Sequence, residues 1–201
     1  MILRQIICLC VLSFASGCSE PKLRPIPNDA KIVAFGDSLT EGYGVKPDQS
    51  YPAALERLIG ISVVNAGISG ETTSEGLRRI ESVLDRETPN LLVLIEGGND
   101  ILRSQDLMQT EQNLSNMIRM AQAREIDVVL LGIPLKSLFS SACAPFYERL
   151  ANTHSVPLDC HAIGKLLRQN RYKSDAIHFN AEGYAIMAEK VRDLMEDEGA
   201  L

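Results

Sequence analysis

The chain has 201 residues, of which 45% are hydrophobic and 23% charged, enough apolar material for one well-packed core and an ordinary globular composition. A formal net charge of -6, with no Lys/Arg cluster or aromatic ladder, gives no broad attraction to phosphate backbones. Nucleic acid is therefore not an expected partner, and one domain is expected.

The first 17 residues read as an export signal. Arg4 supplies the positive end, Ile6 to Ala15 an apolar run too short to cross a bilayer as a helix, and Ala15-Ser16-Gly17 a small-residue exit. Ala15-Ser16-Gly17-Cys18 resembles the lipobox of bacterial lipoproteins, with Ala15 where that box usually carries Leu. The resemblance implies cleavage before Cys18, a lipid on its sulfur and attachment to a membrane on the periplasmic side of the cell envelope; simple secretion is the alternative. Residues 18 to 30 then form a tether: Pro21, Pro25 and Pro27 interrupt a stretch without apolar period, and an extended chain is expected.

From Lys31 onward short apolar runs alternate with helical spacing. Ile32 to Phe35 reads as a buried strand that stops in Gly36-Asp37-Ser38-Leu39, a tight turn holding a hydroxyl. A short helix from Ser50 and Pro52, a strand from Ile61 to Val64, and a helix carrying Leu77, Ile80 and Leu84 follow. Leu91 to Ile95 is a third strand. A long helix through Leu107, Leu114, Met117, Ile118 and Ala121 leads to a fourth strand, Asp127 to Leu131. A helix around Ala144 to Ala151 and a brief strand near Val156 to Leu158 come next, and two helices close the chain, the last capped by Asn180. This alternation predicts a flavodoxin-like three-layer α/β sandwich: five parallel strands, right-handed crossovers and helices on both faces.

A parallel sheet brings the carboxyl ends of its strands to one edge, where ligands bind. Four segments meet there on this reading: Gly36 to Leu39 with Ser38; Asn65 to Thr72 with Gly70; Glu96 to Asp100 with Asn99; and Asp175 to His178, a carboxylate three residues before an imidazole. Each has a plainer interpretation, with Ser38 or Asn99 as a cap, Gly70 as turn punctuation and His178 as a polar residue before a helix. Their convergence on one edge is the feature that favours chemistry.

GDSLTEGYG, NAGISGETT, GGND and DAIH, in this order, resemble the four blocks of the SGNH hydrolases of the GDSL esterase/lipase superfamily, and in particular the bacterial thioesterase I, lysophospholipase and arylesterase group. The likeness runs from Lys31 to about Leu194, so residues 31 to 201 are taken as that domain. It implies Ser38 as nucleophile, Asp175 and His178 as the rest of a triad, and an oxyanion hole from Ser38, Gly70 and Asn99. The chemistry asks for the same set. A serine hydroxyl needs a base within reach and that base needs a partner to fix its tautomer, and of the three histidines only His178 has a carboxylate so placed. Asp37 and Asp100 compete for the carboxylate role, but Asp37 adjoins the nucleophile and is expected to brace its turn. Arg103 either anchors its loop or lines the site, and Leu102, Leu135, Leu138 and Phe139 are candidates for contact with an acyl chain. His154 and His161 are expected at the surface.

The expected activity is hydrolysis of carboxylic esters or thioesters, lysophospholipids included, by a monomer that needs no metal or organic cofactor. A carbohydrate O-deacetylase of the cell envelope and a catalytically silent binding lipoprotein are the alternatives. With Cys8 and Cys10 in the signal and Cys18 lipidated, Cys143 and Cys160 remain. In an oxidising compartment they form a disulfide or stay as two buried thiols. A zinc site built from them with His154 and His161 matches no recognised ligand spacing.

Overall fold

A computed structural model describes residues 22 to 135 and 141 to 201. The signal region, Cys18, Leu138 and Phe139 lie outside the described residues. Among those described, five parallel strands form one sheet: β1 (Lys31–Gly36), β2 (Ser62–Gly67), β3 (Leu91–Ile95), β4 (Asp127–Leu131) and β5 (Leu158–Asp159). Their order is β2-β1-β3-β4-β5, the doubly wound order of flavodoxin-like sheets and the architecture expected above.

The helices are α1 (Ser38–Glu41), α2 (Tyr51–Ile59), α3 (Thr73–Glu87), α4 (Gly98–Leu102), α5 (Leu107–Gln122), α6 (Pro145–His154), α7 (Ala162–Leu167) and α8 (Ala181–Asp197). One layer packs α2 and α7 against α8, and the other packs α3 against α5 and α5 against α6. Covered on both faces, the central strands have no polar side to present. Ile32 to Phe35 and Leu91 to Ile95 are completely buried, which is why both read as unbroken apolar runs. The edge strands are less buried, and β2 runs three residues beyond Val64 to Gly67, carrying its polar end to the ligand edge. β5 is only Leu158–Asp159, displaced from the Val156–Leu158 expected. Pro157 cannot donate to a ladder, but its carbonyl accepts the Leu130 N–H at 2.9 Å.

The tether departs from its expectation. Lys22 to Ala30 has neither helix nor strand but is not free: Leu23 and Ala30 are buried, and the Leu23 and Ile26 N–H groups donate to Glu198 and Ala200 carbonyls at 3.1 and 2.9 Å. Arg24 pairs with Asp127 at 3.0 Å. Leu23 and Ile26 are spaced too irregularly between prolines to register as an apolar period, yet each finds the core at the amino edge of the sheet.

At the opposite edge Cys143 and Cys160 form a disulfide. It joins the segment after β4 to the start of α7, and the Cys143 N–H donates to the Cys160 carbonyl at 2.7 Å. No helix among the described residues is long and apolar enough to cross a membrane.

Candidate active site

The sheet's winding reverses between β1 and β3, so the segments leaving these two strands diverge and open a crevice at their carboxyl ends. Ser38 stands on one side and Asn99 on the other. The turn that presents Ser38 depends on Gly36, because a Cβ there would lie 2.0 Å from the Ile95 carbonyl oxygen. Asp37 then caps α1, its Oδ1 accepting the Leu39 N–H at 3.0 Å. The Tyr184 hydroxyl donates to the Ser38 and Tyr43 carbonyls at 3.4 and 3.2 Å, fixing the turn to α8.

His178 arrives from the other end of the chain. Lys173 and Phe179 pair as an isolated antiparallel bridge, Phe179 is buried edge-on against Tyr184, and the Ser174 N–H donates to the His178 carbonyl at 3.0 Å. The Asp175 to His178 turn is thereby held just before the Asn180 cap of α8. The Tyr43 ring lies against the imidazole, centroids 4.4 Å apart. His178 Nε2 is 3.0 Å from Ser38 Oγ, and its Nδ1 is 2.7 Å from Asp175 Oδ2. Ser38, His178 and Asp175 thus form one hydrogen-bonded line, although Ser38 and His178 are 140 residues apart in the chain.

Desolvation disfavours the Asp175 carboxylate, but hydrogen bonds outweigh it. The Ile177 N–H, the His178 ring and the His178 N–H, together with the charge of His178, hold the carboxyl down at about 2. It is therefore ionised at any pH where the protein would work, ready to orient the imidazole and stabilise its protonated form.

Gly70 and Asn99 complete the edge. Gly70 has φ +80, a conformation that favours glycine, and its carbonyl accepts from Arg103 at 2.9 Å, so Arg103 anchors the loop. Asn99 Nδ2 donates to the Glu71 carbonyl at 2.9 Å and lies 3.3 Å from Asp37 Oδ2. Among the described residues the Ser38 and Gly70 N–H groups have no hydrogen-bond acceptor. A turn lined by N–H donors left open next to a hydroxyl–imidazole pair is suited to receive negative charge on oxygen.

The two competing aspartates face other ways. Asp100 accepts from the Thr73 N–H at 2.9 Å, the Thr73 hydroxyl at 2.6 Å and the Thr110 hydroxyl at 3.2 Å, joining α4 to α3 and α5. Asp37 braces its turn and is almost fully buried. Burial pushes its carboxyl up to about 6, opposed by the Leu39 N–H and the charge of His178 and reinforced by Asp100 and Glu71. The folded protein holds this proton more tightly than the unfolded chain. The resulting stability is fully present below the unfolded value of 3.8 and is lost as pH rises through about 6. Asp37→Asn keeps a capping oxygen but does not titrate. Urea unfolding across this range should therefore show the variant gaining on the wild type by at most about 3 kcal/mol as pH rises. Stability curves that stay parallel would contradict the assignment.

A cavity of about 250 Å³ opens beside Ser38 and His178, walled by Leu39, Ile101, Leu102, Ile133, Leu135 and Ile177. Of the apolar residues singled out from sequence, Leu102 and Leu135 line it. Ile133 and Ile177 carried no sequence signal beyond lying near the motifs. His154 is half-buried, its Nε2 2.8 Å from Ser115 Oγ, and His161 is exposed; neither lines this cavity. Among the described residues no group of three or more His, Cys, Asp or Glu side chains is placed to hold a metal ion.

Residues 34–186 match the GDSL-like Lipase/Acylhydrolase family. The chain is 32% identical over 159 residues to Esterase TesA of Pseudomonas aeruginosa, covering 73% of this chain and 78% of that protein. It is 31% identical over 165 residues to the thioesterase 1/protease 1/lysophospholipase L1 of Escherichia coli, covering 79% of each. Its fold superposes on the crystal structure of TesA with a TM-score of 0.76 at 28% identity, over 84% of this chain and 99% of the other. With the motifs, the sheet order and these likenesses in agreement, the chain belongs to the GDSL-like lipase/acylhydrolase family and is an esterase, a hydrolase of ester bonds.

Proposed function

We propose that this esterase works through an acyl-enzyme on Ser38, with His178 as its base and Asp175 as the partner of that base. The observation that carries the reading is the Ser38 Oγ to His178 Nε2 to Asp175 line, at 3.0 and 2.7 Å. As Ser38 Oγ bonds to the acyl carbon, Nε2 takes the hydroxyl proton and Asp175 stabilises the imidazolium. The charge formed on the carbonyl oxygen is received by the Ser38 and Gly70 N–H groups and the Asn99 amide. Collapse breaks the bond to the leaving alcohol or thiol, which departs with the proton from Nε2. Water, deprotonated by the same nitrogen, then attacks the Ser38 ester, the acyl–Oγ bond breaks, Nε2 returns its proton to Ser38 Oγ and the acid is released.

The substrates proposed are esters and thioesters of apolar acyl groups, lysophospholipids among them. The apolar wall of the cavity supports this, and so do the names of the relatives, one an esterase and one a thioesterase and lysophospholipase. A p-nitrophenyl ester series from acetyl to palmitoyl, run beside Ser38→Ala, tests it. Turnover that extends well beyond acetyl and vanishes in Ser38→Ala is expected; acetyl-only turnover would point to a deacetylase, and none to a binding protein.

Lipid attachment at Cys18 is proposed from sequence alone. Lys22 is four positions along the chain from Cys18, a reach of at most about 14 Å, and Lys22 to Ala30 docks at the amino edge of the sheet. An anchor there would turn the Ser38 edge away from the anchoring membrane, toward the periplasm.

A further inference from the structure

Glu96 directly follows the all-apolar β3, and its side chain is buried with no solvent exposure at all. Its Oε2 accepts the Gly97 N–H at 3.2 Å, while Oε1 has no donor among the described residues. Beside it, within hydrogen-bond reach, is the carboxyl of Glu71, also buried. Two buried carboxyl groups in contact cannot both be charged, so a proton must sit between them.

Arg79 decides which of the two keeps the charge. It clamps Glu71, donating from Nε at 2.6 Å and again from Nη2, and lies 3.9 Å over the Phe35 ring. Charge therefore stays on Glu71 and the proton on Glu96. Burial pushes the Glu96 carboxyl well above the usual range, and the charges of Asp37 and Glu71 push it further. The groups that face this pair are Asp37 from the turn after β1, Arg79 from α3 and Tyr147 from α6. The Tyr147 hydroxyl donates to the Glu96 carbonyl at 2.6 Å. Asp100, on α4, acts on Asp37 and Tyr147 from further away.

Glu71 matters because of what its backbone holds. Its carbonyl is the acceptor that orients Asn99 Nδ2, and its neighbour in the chain is Gly70. We propose that Glu96 is a positioning residue of the oxyanion hole: as a neutral acid it donates a hydrogen bond to the Glu71 carboxylate and so fixes the carbonyl that aims the Asn99 amide. This rests on the acyl-enzyme reading above, and it adds a residue that never touches substrate. Loss of the Glu96 proton at high pH puts a further negative charge beside Glu71 and Asp37, and repulsion then shifts the loop that carries Gly70 and Glu71.

The test is kcat and KM against pH for the wild type, Glu96→Gln and Glu96→Leu, with Ser38→Ala as the background. Glutamine is neutral and still donates, so Glu96→Gln should keep kcat within about threefold at neutral pH and lack the alkaline fall expected of the wild type. Glu96→Leu removes the Glu96 donor and leaves Arg79 alone to hold the Glu71 carboxylate, and kcat should drop about tenfold or more while KM changes less than about twofold. The infrared carbonyl band of a protonated carboxyl should be present in the wild type at neutral pH and missing from Glu96→Gln. An alkaline limb that persists unchanged in Glu96→Gln, or a Gln variant as damaged as the Leu variant, would overturn the proposal. Should Glu96→Leu fail to fold, the Gln profile and the infrared band decide. Activity surviving in Ser38→Ala would instead overturn the acyl-enzyme reading, whatever the Glu96 variants do.

Discussion

His178→Ala should lower kcat/KM for short p-nitrophenyl esters by about 10⁴-fold or more, with thermal stability little changed. The imidazole is the sole base within 3.0 Å of Ser38 Oγ among the described residues, and its side chain is largely covered by the Tyr43 ring and the turn. Asp175→Asn should cost less, about 10²- to 10³-fold. Asp175 has 44% of its side chain exposed, so water can partly replace the carboxylate as acceptor for Nδ1–H. Steady-state kinetics on both variants check this order. Equal losses would mean that Asp175 has no separable role, and a larger loss in Asp175→Asn would mean that another group serves as base.

Asn99→Ala is expected to lower kcat by about 10²- to 10³-fold, the loss of one oxyanion donor, with little change in KM. The size of the effect follows from where the amide is held. The nitrogen donates to the Glu71 carbonyl at 2.9 Å, which fixes the plane of the group, and more weakly to Asp37 Oδ2 at 3.3 Å, the longer bond being the one a substrate oxygen would replace. Because the interaction strengthens only as charge grows on the substrate oxygen, it appears in kcat rather than in ground-state binding. Measured kcat and KM for a butyryl ester separate the outcomes: a rise in KM at constant kcat would make Asn99 a binding residue and remove it from the oxyanion hole.

The sheet and the four edge segments could be read from sequence because burial on both faces leaves a plain signal. Leu91 to Ile95 admits no polar residue, and Gly36-Asp37-Ser38 must break the chain where β1 meets the edge. Elements at the periphery were harder. β5 is two residues long, below any period, and α4 hides inside Gly98 to Leu102 because a single helical turn has no periodicity to detect. Within the site, Ser38, His178 and Asp175, the triad proposed above, can be picked out by chemistry, since each has a partner that the proposed reaction demands. Glu71, Arg79 and Glu96 were missed because their partners lie on separate elements, 8 to 25 residues apart, and no local pattern records the pairing. One signal was available: an acid directly after a fully apolar strand, as Glu96 is, is either at the surface or paired, and a central strand has no surface.

The acyl-enzyme reading is tested most directly by stoichiometric labelling with an alkyl phosphonate ester, followed by mass spectrometry of the peptides. One phosphonyl group on Ser38, appearing in step with the loss of esterase activity and absent from Ser38→Ala, is the result this account predicts. Full activity after complete modification of Ser38, or inactivation by a label carried on any other residue, would contradict it.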